Sequence, residues 1–257
     1  MLKQNSVKEL EPSCPDENLR PVIDITGLSF TWPKGLDPVL EIEQFRVDRG
    51  ELLFVIGPSG CGKSTLLGLL TGILLPQQGV VEVLQHKISC LSEVARDRFR
   101  ADSIGYIFQM FNLIPYLSVI ENVILPCQFS ALRRERVLQQ ASSLKEEALR
   151  LLGHLNLNDS RLLAKPVSEL SVGQQQRVAA ARALIGGPEL IIADEPTSSL
   201  DTDHREAFLR LLFEECRSSG ATLVFVSHDR SLAPFFDRVV DLNVINKVSG
   251  GGVGDLA

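Results

Sequence analysis

The sequence predicts an α/β protein: a mostly parallel sheet flanked by helices, an antiparallel β layer beside it, and an inserted α-helical subdomain. Three observations predict it. Apolar runs at 52–56, 190–193 and 222–226 have the length and continuity of strands buried on both faces, as a parallel sheet requires. The first of them leads into Gly57-Pro58-Ser59-Gly60-Cys61-Gly62-Lys63-Ser64-Thr65 and then into the helical Leu66-Leu67-Gly68-Leu69-Leu70. From Pro115 to Leu155 the pattern turns helical and more charged, and no strand signal returns until Glu189.

The elements follow in order. Residues 1–20 carry Pro12, Pro15 and many polar groups and read as a flexible tail without a secretory pattern. Val22 to Phe30 and Leu40 to Val47 alternate as strands, separated by a turn at Pro33-Lys34-Gly35 and closed by Asp48-Arg49-Gly50. These two give the antiparallel layer. A turn at Pro76-Gln77-Gln78-Gly79 precedes a strand at 80–84, a charged helix at 92–100 and a strand at 103–108. Arg133 to Leu155 has apolar residues at helical spacing. Arg96, Arg98, Arg100, Arg133, Arg134 and Arg136 read as a solvated helical face. A helix from about Asp203, with Asp203 and Glu206 resembling a capping box, ends at Ser218-Ser219-Gly220. Arg238 to Val244 is the last strand, and 247–257 reads as a C-terminal tail.

Composition narrows the function. A chain of 257 residues suffices for one large α/β domain with an insertion. A net charge of −6 without a dominant basic tract gives no support to nucleic-acid binding. Five cysteines (Cys14, Cys61, Cys90, Cys127 and Cys216), an odd count without paired or metal-ligand spacing, suit a reducing cytosol. The most apolar window, Leu66 to Leu75, is too short to span a bilayer. The chain is therefore expected to be soluble, with any membrane role exercised through a partner.

The glycine-rich loop carries the chemistry. Strand, loop and helix in that order form a phosphate-binding loop, and the fold class becomes a P-loop NTPase core. Gly57, Gly60 and Gly62 let backbone N–H groups turn inward around an anion, and the helix N-terminus adds partial positive charge. Lys63 can reach the β- and γ-phosphates, and the Ser64 hydroxyl can ligate Mg²⁺. Ligand groups in α/β sheets collect at the carboxyl ends of parallel strands. Besides the loop, the apolar strands here end in Gln109, in Asp194-Glu195 and in His228. Asp194 suits a Mg²⁺ ligand, and Glu195 can polarise a water attacking the γ-phosphate. Gln109 can orient that water and sense the metal, and His228 can donate to the γ-phosphate. Taken singly, Gln109 and His228 read better as satisfied polar residues.

A further segment, Leu170-Ser171-Val172-Gly173-Gln174-Gln175-Gln176-Arg177, opens a helix that stops at Gly186-Gly187-Pro188. Ser and Gly at a helix N-terminus make a second anion site. With these residues in order, residues 22 to 246 resemble the ATP-binding subunit of an ABC transporter. Gly57 to Thr65 matches the Walker A loop, Gln109 the Q-loop, Ser171 to Gln174 the signature and Leu190 to Glu195 Walker B. Ser198-Ser199-Leu200-Asp201 resembles the D-loop and His228 the switch histidine. Trp32 stands where the family has an aromatic residue that stacks on adenine; packing is its other reading.

The resemblance implies ATP and Mg²⁺ as cofactors, with one domain over 21–246, its core at 21–88 and 176–246 and its helical subdomain at about 89–175. It implies a head-to-tail dimer, a homodimer or else a heterodimer with a sister ATPase, in which Ser171 and Gly173 of one subunit face the ATP on the other's Lys63. Val172 replaces the family's glycine, so either the backbone there is ordinary or the half-site is weakened. Cys61 lies inside the loop, so modifying its thiol is expected to block ATP binding. Phe111-Asn112-Leu113-Ile114-Pro115 and Glu121-Asn122-Val123-Ile124-Leu125-Pro126 are similar to ATPases of the lipoprotein-release, macrolide-efflux and FtsE type. Those imply export, lipid extraction or mechanical work through a membrane permease docked at Phe111 to Glu121, at the cytoplasmic face of the inner membrane. An importer ATPase and a non-transport ATPase are the alternatives.

Overall fold

A computed structural model describes residues 20–33, 35–163, 165–197 and 202–250. Five strands form a parallel sheet in the order β6-β7-β8-β3-β9: β3 (Leu52–Ile56), β6 (Ile104–Ile107), β7 (Leu190–Asp194), β8 (Thr222–Ser227) and β9 (Arg238–Asp241). Four more form a second sheet in the order β2-β1-β4-β5: β1 (Ile23–Phe30), β2 (Leu40–Val47), β4 (Gln78–Val83) and β5 (His86–Lys87), every neighbour antiparallel. The expected antiparallel layer is thus wider than two strands, because the chain returns after the first helix to pair β4 with β1. The helices are α1 (Lys63–Leu70), α2 (Glu93–Ser103), α3 (Val119–Ile124), α4 (Pro126–Phe129), α5 (Ala131–Gln140), α6 (Leu144–His154), α7 (Ser160–Leu163), α8 (Val172–Leu184), α9 (Thr202–Ser219) and α10 (Leu242–Ile245).

Side chains alternate across a strand, so each central strand serves two cores. Leu53 and Val55, with Ile192, Val224 and Val226, pack with α1 and the antiparallel sheet. Leu52, Phe54 and Ile56, with Ile191, Leu223 and Phe225, pack under α8 and α9. All five residues of β3 are buried, each worth roughly 1.5–3 kcal/mol of transfer free energy when fully covered. This double coverage holds β3 inside the sheet, between β8 and β9, and its carboxyl end leads into the phosphate loop.

Several expectations change. The strand expected at 103–108, inside the stretch 89–175 assigned to the helical subdomain, is β6, which pairs in parallel with β7 and is an edge of the main sheet. The run from Arg133 to Leu155 breaks at 141–143, where Ser143 caps α6 through the Glu146 N–H. The last strand stops at Asp241 instead of Val244, because the Asp241 carboxylate accepts from Asn243 N and starts α10. Residues 247–250 form a 3-10 turn, and Lys247 pairs with Glu43 of β2 at 2.6 Å. Arg133 is the largest departure from the solvated face. It is 2% exposed and donates to the carbonyls of Ala183, Ile185 and Ile104. Carbonyls at the end of α8 and at the start of β6 receive its two terminal nitrogens, and burial lowers its pKa to about 10. Expectations on 1–19, Lys34, the Ser198–Asp201 segment, 251–257 and the Asp203 side chain lie outside the described residues.

Candidate active site

The loop after β3 is shaped by glycines that no other residue could replace cheaply. Gly60 and Gly62 sit at φ +84° and +100°, and a Cβ on Gly62 would lie 2.7 Å from Leu40 Cδ2. Gly62 is the N-cap of α1 and supplies no side-chain cap, and no acidic residue occupies the first turn. The leading N–H groups of α1 therefore remain free of side-chain acceptors and add their dipole to the loop. Lys63 is buried to 8% exposure, and its Nζ donates to the carbonyls of Gly57 (2.8 Å) and Pro58 (3.0 Å). Cys61 turns inward: a Cβ on Gly57 would meet its Sγ at 2.5 Å. Burial pushes the Cys61 thiol up, against an opposing pull from Lys63.

Strand ends bring the other groups. A cleft of about 500 Å³ is lined by Ser59, Gly60, Gly62, Lys63, Ser64 and Thr65 of the loop, and by Gln109, Asp194, Glu195 and His228. Trp32 and Val39, from the connection between β1 and β2, also line the cleft. Asp194 ends β7 and lines the cleft together with Ser64. Burial, then the neighbouring Glu195, raises the Asp194 pKa, while Lys63 and Ser64 pull it down. Glu195 has φ +47°, rare for a residue with a long side chain, and its N–H continues the sheet by donating to Val226 O at 2.9 Å. That bend points its carboxylate into the cleft. His228 Nδ1 lies 2.7 and 2.9 Å from the two Glu195 oxygens, and Lys63 Nζ lies 3.7 Å from one of them.

The Trp32 ring packs edge-on against Phe30 at 5.3 Å, and 45% of the residue stays exposed at the cleft. Ser171, Gly173 and Gln174 do not line the cleft of their own chain. They start α8, where Ser171 Oγ accepts from Gln174 N and Gln174 Oε1 accepts from Ser171 N. Val172 is the first helical residue, 48% exposed and with ordinary negative φ, so its side chain strains nothing in the backbone. Gly57, Pro58 and Cys61 belong to the loop without lining the cleft, and Asp201 lies outside the described residues. Neither Val39 nor the bend at Glu195 carries a local signal in the sequence.

The model of the family described as "ABC transporter" matches residues 40–198. The chain belongs to the ABC transporter family. It is 39% identical over 234 residues to the lipoprotein-releasing system ATP-binding protein LolD of Xylella fastidiosa, covering 90% of this chain and 94% of that one. It is 37% identical to an uncharacterized ABC transporter ATP-binding protein of Mycobacterium tuberculosis over 88% of each chain. Among solved structures, the ATP-binding cassette MJ0796 in a dimeric post-hydrolysis state bound to ADP and Pi is 34% identical, with a TM-score of 0.74 over 85% of this chain and 93% of that one. The chain is thus an ATP-binding, ATP-hydrolysing subunit of an ABC transporter, from a group of cassettes that form dimers. Among the described residues no helix is long and apolar enough to cross a membrane.

Proposed function

We propose that this cassette closes as a head-to-tail homodimer over two ATP molecules and drives a membrane permease in lipoprotein release or related mechanical work on the outer leaflet side. The observation that carries the reading is the convergence of Lys63, Ser64, Gln109, Asp194, Glu195 and His228 from separate strand ends into one cleft. The resemblance to LolD over nearly the whole chain supports the direction of transport. The domain is one cassette, with the helical insertion starting after β6.

In this reading Trp32 stacks on adenine, and the loop N–H groups from Ser59 to Thr65 hold the phosphates. Lys63 exchanges its loop carbonyls for phosphate oxygens. Ser64 and Asp194 are hard oxygen donors lining one cleft, a pair that fits Mg²⁺, and Gln109 completes the set. Bound there, the ion would neutralise phosphate charge. Glu195 orients and deprotonates the attacking water, held in place by His228. Ser171 and Gly173 arrive from the second subunit, and Asp201 joins at the dimer interface. Each such donor is typically worth about 10²–10³ in rate.

The permease docks beside Gln109. Met110 and Tyr116 are 80% and 79% exposed there, whereas Phe111, expected in the contact, is buried. The subunit then sits peripherally on the cytoplasmic face of the inner membrane. The test uses Glu195→Gln, which should trap the ATP-bound dimer. Pulled from detergent-solubilised membranes with Mg-ATP, it should bring a membrane protein with few spans and a large outer domain. A many-helix permease would indicate an importer, and ribosomes or DNA without any membrane protein would overturn the transporter reading of its partner.

A further inference from the structure

The corner after Gln109 is built against local preference. Phe111 and Asn112 are consecutive non-glycine residues at φ +59° and +48°. Such backbone persists only where its surroundings over-determine it. Phe111 N donates to Phe108 O at 2.9 Å and Asn112 N to Met110 O at 2.6 Å, so the turn folds tightly on itself. Its outward carbonyls are both taken by one side chain. Arg182 Nη1 donates to Asn112 O at 2.6 Å and Nη2 to Phe111 O at 2.5 Å. Arg182 is 9% exposed, burial lowers its pKa, and among the described residues no carboxylate pairs with it. A buried guanidinium without a counter-ion is costly, and here its two prongs serve two adjacent carbonyls.

Arg182 projects from α8, the helix that begins at Ser171. The same helix presses on β6, the strand leading to Gln109: a Cβ on Gly105 would collide with the Ala183 carbonyl. The strand before Gln109 and the corner after it are therefore both fixed to the last turn of α8.

We propose that Arg182 is a positioning residue for Gln109, holding the Phe111–Asn112 corner so that Gln109 faces the cleft. Through α8 it ties the position of Gln109 to that of Ser171. The inference rests on the role given to Gln109 above. It touches neither nucleotide nor metal, so its effect reaches the reaction only through that residue.

A double-mutant cycle tests it. Arg182→Lys keeps the charge but replaces the two-pronged donor. Turnover of Mg-ATP should fall about 10- to 100-fold, as for a small misplacement of a reacting group. ATP affinity should be unchanged, and the Mg²⁺ concentration for half-maximal activity should rise. A loss of fold alone would weaken ATP affinity and turnover together. Gln109→Ala should lower turnover by itself, and adding Arg182→Lys to it should cost no more than about twofold, the scatter of independent measurements. If the lysine variant does not fold, Arg182→Gln carries the same cycle. Losses that multiply, or normal turnover in the Arg182 variant, overturn the inference and leave Gln109 its role. Normal turnover in Gln109→Ala overturns the role of Gln109 itself, and the inference with it.

Discussion

Two clusters in this molecule are built from nearly the same parts. In the cleft, Glu195 lies against Lys63 and His228. Between α6 and α9, Glu215 lies against Arg150 and His154, with Glu147 completing the group. The two carboxylates are 12% and 9% exposed, and the two histidines 61% and 57%. Residue types, burial and ion pairing thus fail to separate them. Backbone and surroundings do. Glu215 on α9 and its partners on α6 stand on regular helices, none of them at positive φ. Glu195 stands on a left-handed residue at a strand end, facing a loop whose N–H groups converge on the same cleft. Strain and unspent donors mark a site; a buried ion pair by itself does not.

The sharpest way to break the comparison is to remove both carboxylate charges. Glu195→Gln should lower ATP turnover by about 10³-fold while retaining ATP binding. Glu215→Gln should leave turnover near normal and cost about 1–3 kcal/mol of stability, read as a lower melting temperature. Equal kinetic losses in the two variants would erase the distinction.

Asp194→Asn comes next, with an expected loss of about 10²-fold in turnover. Its stability effect should have the opposite sign. The folded Asp194 pKa is raised, chiefly by burial. Its contribution to stability is therefore full below the ordinary carboxylate pKa and is lost as pH rises through the raised value. At neutral pH the ionised group is a cost in the ligand-free protein, so the amide should raise the melting temperature without nucleotide. By the same shift, Mg²⁺ dependence of activity should steepen as pH falls toward the raised value. A lower melting temperature for Asp194→Asn at neutral pH would contradict the assignment.

The fold was legible where burial is two-sided: the runs at 52–56, 190–193 and 222–226 pair as neighbouring strands of the sheet. The phosphate loop was legible because its spacing has few other uses. What escaped was non-local. Arg133 belongs to a run of basic residues, and its carbonyl partners come from Ile104, Ala183 and Ile185, far along the chain. Arg182 hides for the same reason. The bend at Glu195 follows from sheet pairing with Val226, which no local propensity encodes. β6 was found as a strand, yet its place in the main sheet required the partner β7.

Histidines give a smaller contrast. His228→Ala should slow turnover by about 10²-fold, since it releases Glu195, whereas His154→Ala should leave steady-state rates unchanged. Equal rates for wild type and His228→Ala would show that Lys63 alone orients Glu195.

The smallest effect concerns the thiols that accompany each cluster. Cys216, fully buried beside Glu215, has its thiol pushed up to about 12, first by burial and then by that carboxylate. Cys61 is raised by burial as well, but Lys63 opposes the shift and the residue is only partly covered. The thiolate is the reactive form, so at pH 8 a small alkylating reagent should label Cys61 slowly and native Cys216 not at all. Because the Cys61 Sγ points under Gly57 and away from the cleft, Cys61→Ala should leave ATP affinity within about twofold. Labelling should nonetheless abolish ATP binding, since any group added to Sγ has to displace the Gly57 backbone and the carbonyl that Lys63 uses. Full ATP affinity after complete labelling would mean that the loop can yield there, and that its shape is set by Gly60 and Gly62 alone.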